Sequence, residues 1–301
     1  MPTSTRASAT AELPGVARPV ASVTPRALVW RRFRRDPLGM AGLAIVALLF
    51  LVAAGAGVLA PDNPVAVDLN AILQPPSRAH WLGTDDSGRD VLSRVIWGTR
   101  VSMTIAVVIR LVTLAIGIGV GAVAGYYEGR VDTILMRMVE ILLAFPGLLL
   151  LIGLASALGP GFVSLLIAFS VTGWTTTARL VRGKLLSIKR EEYMEAARAI
   201  GVPAALQIFR HALPNALGPV IVTATIGVGG IILAEASLSF LGLGIQPPTP
   251  TWGAMIAQGR SFLTVAWWTS FFPGLAIALA VFGFNMFGDA LRDALDPRAE
   301  R

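Results

Sequence analysis

From Ile141 to Ala178 the chain runs 38 residues without a single charged side chain. A helix needs only ~20 apolar residues to cross a hydrocarbon core, so this run holds enough for two crossings. Gly159-Pro160-Gly161 falls near its centre and marks a tight turn between them. Four further apolar segments share this character. Pro37–Pro61 and Ser261–Gly288 are uncharged, Val101–Tyr127 is broken only by Arg110, and the stretch from Pro214 towards Gly242 only by Glu235. Inside lipid no water bonds the peptide groups, so such segments must be helices. The expected fold is therefore all-α and polytopic, with six transmembrane helices at about 38–60, 101–126, 133–158, 162–179, 214–242 and 268–290. The third is expected to begin near Thr133, with Arg137 and Glu140 at its inner end and Pro146 as a packing kink. Charged residues make up 14% of the chain, against ~25% in soluble domains. With no cysteine, disulfides and thiolate metal sites are excluded.

Residues 1–29 are rich in Ala, Ser, Thr, Pro and Arg without apolar periodicity and read as a disordered tail. The domain proper is expected over 30–298. The arginine pairs of WRRFRRDPLG, with small residues at Ala53–Ala56, raise a cleavable or twin-arginine signal as an alternative. The apolar run is longer than the ~7–15 residues of a signal core, which favours a span.

The net charge is +7, and its distribution decides what it means. Placing the N-terminus inside puts 19 of the 25 basic residues in inner segments and four, Arg78, Arg89, Arg94 and Arg260, in outer loops. That asymmetry satisfies the positive-inside rule and ties the basic balance to lipid rather than nucleic acid. Both ends, and the segment between spans four and five, are then expected on the cytoplasmic face.

That segment includes EYMEAARAIGVPAALQIFRHALPN, residues 192–215. Glu191 and Glu192 suit the positive end of a helix dipole, and Ala196, Ala197 and Ala199 favour helix with little side-chain bulk. Gly201 stands where a helix needs a left-handed residue to end. Pro203 suits the first position of a second helix, and Leu213-Pro214 the start of the fifth span. The expectation is a helix–elbow–helix at the membrane surface. The residues alone allow an amphipathic connector on headgroups or a small-residue face for another protein.

Glu195-Ala196-Ala197, then Gly201, then Leu213-Pro214, reproduce the E-A-A-x3-G pattern and spacing of the EAA loop. The chain thus resembles the permeases of binding-protein-dependent ABC importers. His211 departs from the usual Ile or Val, as in the peptide-transporting branch. LGTDDSGRDVLSRVIWGTR (82–100), LAEASLSFLGLGIQPPTPTWGAMI (233–256), FPGLAIAL (272–279) and GDALRDALDPR (288–298) are similar to segments of dipeptide, oligopeptide and nickel permeases. The resemblance covers about residues 30–298. It implies a type I importer permease fold whose loop, 184–213, docks a coupling helix on an ATPase subunit. Residues matching that role are Glu192, Tyr193, Glu195, Ala196, Ala197, Gly201, His211, Leu213 and Pro214. The implied partners are a second, homologous permease, two ATP-binding cassette subunits carrying ATP and Mg, an extracytoplasmic substrate-binding protein, and membrane lipid. The substrate would be a di- or oligopeptide, with nickel or another small solute as the alternative.

Other features carry competing readings. In GTDDSGRD, the acids Asp85, Asp86 and Asp90 do not follow the alternation of an EF-hand loop. Thr84 is expected to cap a short interfacial helix with Asp85 and Asp86 in its first turn, and Asp90 to pair with Arg94. Scaffolding or binding-protein docking would explain this segment, with Arg89 a member of it. Gly117-x-Gly119-x-Gly121 resembles a dinucleotide loop only superficially, since no strand precedes it. Gly117, Gly121 and Gly125 instead line one helix face for close packing. Arg110 and Glu235 lie inside apolar spans, where charge is costly, and are candidates for a pore or gate. Arg110 would snorkel outward or pair within the bundle; Glu235 would gate, pair structurally or touch substrate. Trp267, Trp268, Phe271 and Phe272 read as an interfacial belt. His80 and His211 fall on opposite sides, so neither is expected in a metal site.

No G-x4-G-K-[ST] occurs, and no nucleophile–base pairing is evident, so no catalytic residue, metal or bound cofactor is expected. Energy must then come from another subunit. The rival class is an ion-coupled secondary transporter, which calls for repeated halves and midplane ionisable groups. No convincing repeat is present, and the spans hold few charges.

Overall fold

The computed structural model describes residues 25–295. The expected tail falls outside these residues up to 24, while Pro25–Val29, also assigned to the tail, are the start of a helix. In chain order the helices are α1 (Pro25–Phe33), α2 (Pro37–Leu59), α3 (Val91–Tyr127), α4 (Gly129–Leu143), α5 (Gly147–Leu158) and α6 (Phe162–Thr172). There follow α7 (Thr175–Ile188), α8 (Glu192–Ala199), a short α9 (Ala204–Leu206), a π turn (Gln207–Ala212), α10 (Leu213–Phe240), α11 (Trp252–Gly259) and α12 (Trp268–Leu295). The described chain is all-helical apart from loops and one isolated bridge, Thr84 to Asp90.

Among the described residues, four helices are long and apolar enough to cross a membrane: α2, α3, the rod Ala204–Phe240, and α12. The pair α4 and α5 makes a fifth if taken as one span, although it bends by 86°. Pro146 stands at that break as the residue before α5. It is a corner, not the packing kink expected, because proline removes a donor and its ring clashes with the preceding turn. The fourth expected span is also divided, at Gly173-Trp174, into α6 and α7.

Two boundaries differ for physical reasons. The second span begins at Val91, ten residues before the hydrophobic run starts, because Asp90 caps it by accepting from the Ser93 N–H at 2.7 Å. At 37 residues and ~1.5 Å each, α3 far outreaches a ~30 Å core, so its polar first turns lie beyond the lipid. The helix that carries the fifth expected span does not start at Pro214 but runs unbroken from Ala204 to Phe240. The widened π turn directly before Leu213-Pro214 accommodates the proline ring that would clash within a regular helix.

Small residues set the packing. A Cβ on Gly117, Gly121 or Gly125 would lie 2.6 Å from the Thr177 Cβ, 2.5 Å from the Ala178 carbonyl oxygen and 2.8 Å from that of Arg182, so this face of α3 sits directly on α7. Gly42 does the same for α2 against α12, where an added Cβ would stand 2.5 Å from the Phe287 nitrogen. Between lipid-immersed helices such backbone approach supplies the van der Waals contact that holds them. A core of Ile109, Leu165, Ile232, Trp252 and Ala280 joins α3, α6, α10, α11 and α12.

Gly121→Val is expected to lower the melting temperature in mild detergent by several degrees, an overpacking cost of about 1–3 kcal/mol. Gly119→Val, at an exposed position where an added Cβ meets nothing within 4 Å, should melt like the parent. Equal melting of both variants would contradict the α3–α7 contact.

Candidate functional site: an exposed elbow and a buried polar loop

The two ends of α3 carry the two polar assemblies of the molecule. At the Tyr127 end lies the elbow. Helix α8 ends in two hydrogen bonds, Val202 N–H to the Ala197 carbonyl at 3.0 Å and Gly201 N–H to the Arg198 carbonyl at 3.1 Å. These are the paired bonds of a Schellman cap. Gly201 adopts φ +79°, which a side-chain-bearing residue reaches only with strain. Pro203 then serves as N-cap to α9 rather than as its first residue, its carbonyl accepting from the Gln207 N–H at 3.0 Å.

Helix α8 has one held face and one open face. Met194 is fully buried in a cluster with Ala122, Val181, Leu185, Ile208 and Ala216, and Ala197 is buried beside it. Glu192, Tyr193, Glu195 and Ala196 are exposed. Tyr193 is tied down through its hydroxyl, which accepts from the Asn215 amide at 3.1 Å; the same amide donates to the His211 carbonyl at 2.8 Å. His211 is half-buried in the π turn, Leu213 packs against the Met194 cluster, and Pro214 is exposed. The structure therefore brings together every residue matched to the EAA pattern. It also shows exposed apolar residues that the motif does not name: Ile200 is 79% and Phe209 71% exposed, and Leu206 is exposed as well. Ile200 stands immediately before the elbow glycine, the one place where a short helix must display its last residue.

At the Val91 end, residues 61–90 fold over α3, α11 and the start of α12. The short interfacial helix expected at Thr84 is absent; residues 84–90 form a turn whose capping residue is Asp90. Thr84 is fully buried, its hydroxyl donating to the Ala71 carbonyl and accepting from the Gln74 N–H at 2.8 Å. Asp85 accepts from the backbone of Ser87 and Arg89 at 2.9 Å and from the Arg89 Nε at 2.7 Å. Arg94 pairs with Asp85 at 3.3 Å, not with Asp90, and donates to Gln258 of α11 at 3.1 Å. Arg89 also reaches the more exposed Asp86 at 3.3 Å. Gly88 is required here by close approach, since a Cβ would stand 1.8 Å from the Asp68 carbonyl oxygen. Trp268 is 5% exposed and donates from its indole to the Thr84 carbonyl at 3.0 Å. It is a peg in this assembly rather than a member of an interfacial belt; Trp267 and Phe271 remain outside, each about half exposed.

Asp62, His80 and Asp90 approach closely enough, within 4.8 Å, to face one cation. His80 is thus not isolated as expected. Both oxygens of Asp90 are already engaged, by the Ser93 N–H and by the His80 ring at 3.1 Å. The carboxylate also sits at a helix N-terminus, whose field opposes a cation. The donor set fits a hydrogen-bonded cap better than a metal.

Both intramembrane charges are accounted for by neighbours. The Arg110 guanidinium lies against Gly227 of α10 and donates to the carbonyls of Thr223 and Ala224 at 2.7 and 3.1 Å. It pairs within the bundle rather than snorkelling. Glu235 is 2% exposed and accepts from the Ser239 hydroxyl, one turn on in the same helix, at 2.7 Å.

Residues 117–301 match the family described as the binding-protein-dependent transport system inner membrane component. Residues 24–76 match the N-terminal TM domain of oligopeptide transport permease C. The chain belongs to this permease family. It is 43% identical over 291 residues to a dipeptide transport system permease protein of Bacillus subtilis (strain 168), covering 96% of this chain and 90% of that one. A glutathione transport system permease protein of Pectobacterium atrosepticum is 43% identical over 91% of this chain and 92% of its own length. The oligopeptide transport system permease protein of Bacillus subtilis (strain 168) is 42% identical over 90% of this chain and 88% of its own. This permease is accordingly a multi-pass membrane subunit with the type I importer fold, and not an enzyme; the ATPase of such transporters is a separate subunit.

Removing Asp85 takes the carboxylate from the buried Arg94 and leaves Arg89 only the more exposed Asp86. Asp85→Ala is therefore expected to destabilise by about 3–5 kcal/mol, read as a large drop in melting temperature. Asp86→Ala, at the exposed edge, should cost under ~1 kcal/mol. Similar melting of the two would show that the Asp85 pairs do not hold this end together.

Proposed function

We propose that this permease is one half of the pore of an ATP-driven importer of di- or oligopeptides. Names of relatives at over 40% identity across at least nine-tenths of this chain, for dipeptide, glutathione and oligopeptide transport, support the substrate class. The observation that carries the mechanism is α8: anchored by Met194, turned by Gly201, and presenting Glu192, Glu195, Ala196 and Ile200 outward. An exposed acidic and apolar helix of this size fits a groove on another protein, read through a few anchoring side chains.

In this reading the elbow end faces the cytoplasm and α8 docks on an ATP-binding cassette subunit. Two such subunits hold ATP and Mg, a second homologous permease completes the pore, and an extracytoplasmic binding protein delivers peptide to the Val91 end. Nucleotide binding closes the ATPases and carries α8 with them, shifting the pore between inward- and outward-facing states. The shift is as large as the differential affinity of the nucleotide for the two states allows. Six crossings, with α4–α5 and α6–α7 each counted as one, place both termini on the cytoplasmic side. Arg110 acts in this scheme as a strut that keeps α10 in register with α3 while the bundle moves. No residue from Ile141 to Ala178, the stretch that contains the Pro146 corner, is ionisable. That weighs against an ion-coupled carrier, which needs such a group at a broken helix.

Two measurements test this reading. The chain lacks cysteine, so Glu195→Cys and Ser87→Cys can be labelled singly in whole cells. Glu195→Cys should react only with membrane-permeant reagents and Ser87→Cys with impermeant ones; the reverse pattern would overturn the topology. Gly201→Leu and Glu195→Lys should each cut ATP-driven peptide uptake by at least tenfold, about 1.4 kcal/mol of coupling, while the protein still reaches the membrane. Unchanged uptake by the double variant would remove α8 from the mechanism.

A further inference from the structure

The elbow is wired to α3 by a chain of side-chain hydrogen bonds that docking on a partner does not require. Gln207, the first residue of the π turn, is 2% exposed. Its amide nitrogen donates to the Val202 carbonyl at 2.7 Å, one residue past the elbow glycine. Its amide oxygen faces the Tyr126 hydroxyl at 2.9 Å. The assignment of the two amide atoms follows from chemistry, since a carbonyl only accepts and therefore must meet the NH2 group.

Tyr126, the penultimate residue of α3, is gripped a second time. Its carbonyl accepts from the Lys189 ammonium at 2.6 Å, and that ammonium also lies 5.4 Å from the centre of its ring. Lys189 is bound to Glu128 at 2.8 Å, and this contact holds the Glu128 carboxyl below the usual carboxylate range. The Lys189 carbonyl in turn accepts from Arg198 in the last turn of α8, at 3.3 Å. The ring of contacts closes: α8 to the end of α7, to α3, to the π turn, and back to the elbow.

We propose that the Tyr126–Gln207 hydrogen bond hands displacement of the elbow to α3, making these two the positioning residues of the transport cycle. The inference rests on the ATP-driven import described above. Three observations point this way. The apolar seat of Met194 is non-directional and tolerates sliding, whereas a hydrogen bond weakens steeply once its angle opens. The bond originates in a π turn, a local distortion that recurs at functional sites in helices. Finally, α3 reaches from this bond to the Asp90 cap, passing Arg110 with its two bonds to α10, so a push on Tyr126 reaches the opposite end and a neighbouring span. Tyr126 and Gln207 touch no substrate; they act through α3.

The test uses the complete transporter in proteoliposomes, with ATP hydrolysis and uptake of a labelled dipeptide measured on the same preparation. Tyr126→Phe deletes one hydroxyl and leaves the ring, its backbone and the Lys189 contacts in place. ATP hydrolysed per peptide imported should rise at least about fivefold, with hydrolysis itself retained. Gln207→Leu should do the same, and the double variant should be no worse than either single, as expected of two groups in one interaction. A merely structural bond would lower protein yield, hydrolysis and uptake together and leave that ratio unchanged. An unchanged ratio in Tyr126→Phe overturns the inference even if total activity falls. Absence of ATP-driven uptake with the unaltered chain would instead overturn the import reading, and this inference with it.

Discussion

Lipid offers a peptide group nothing to bond with, and the architecture of this permease follows from that constraint. Each span must close its own hydrogen bonds as helix. Every buried polar side chain described at the two ends of α3 must then find a partner inside the protein. The hydrophobic effect cannot press one apolar helix on another in hydrocarbon, so contact comes from backbones that approach closely. Gly117, Gly121 and Gly125 give α3 such a face, and Gly42 and Gly283 give another between α2 and α12. With α3 seated on α7, its two ends become fixed platforms, one under the Asp85–Arg89–Arg94 assembly and one under the elbow.

The two platforms differ in how firmly they are held. The Val91 end is dense with directional bonds, and Thr84, Asp85, Arg89, Asp90 and Arg94 are all under a tenth exposed. Buried pairs of that kind resist rearrangement, because separating them leaves an uncompensated charge. The elbow end is lightly held: α8 has eight residues, one buried methionine, and hydrogen bonds at its margins. A short helix with few buried contacts belongs to the low-stability part of a fold, from which moving elements are drawn. One end of α3 is thus densely cross-linked and the other loosely held.

Several sequence-based expectations failed in instructive ways. Thr84 looked like an N-cap because Thr-Asp-Asp is a good first turn, but the chain there must return to meet Gly88 against Asp68, and the helix waits for Asp90. Trp268 looked interfacial because tryptophan prefers the lipid boundary. Its indole instead satisfies the Thr84 carbonyl, 184 residues away in sequence. Asp90 was paired with Arg94 by helical spacing, yet Asp90 is spent on the cap and His80, and Arg94 turns to Asp85. In each case a local rule was sound and a distant partner outcompeted it.

What the residues alone determined is whatever depends on near neighbours and on the solvent. Helical class follows from uncharged length; the elbow follows from Gly201, which only a left-handed position explains; and the small-residue face of α3 is written in a four-residue spacing. The tertiary structure alone decided the long-range pairings, Arg110 with α10 and Gln207 with Tyr126, and the 86° corner at Pro146. The reason is geometric. A hydrogen bond or ion pair is chosen by distance in space, and for a charge in a lipid-immersed bundle several carbonyls on different helices are chemically equivalent until packing places one of them within three ångströms.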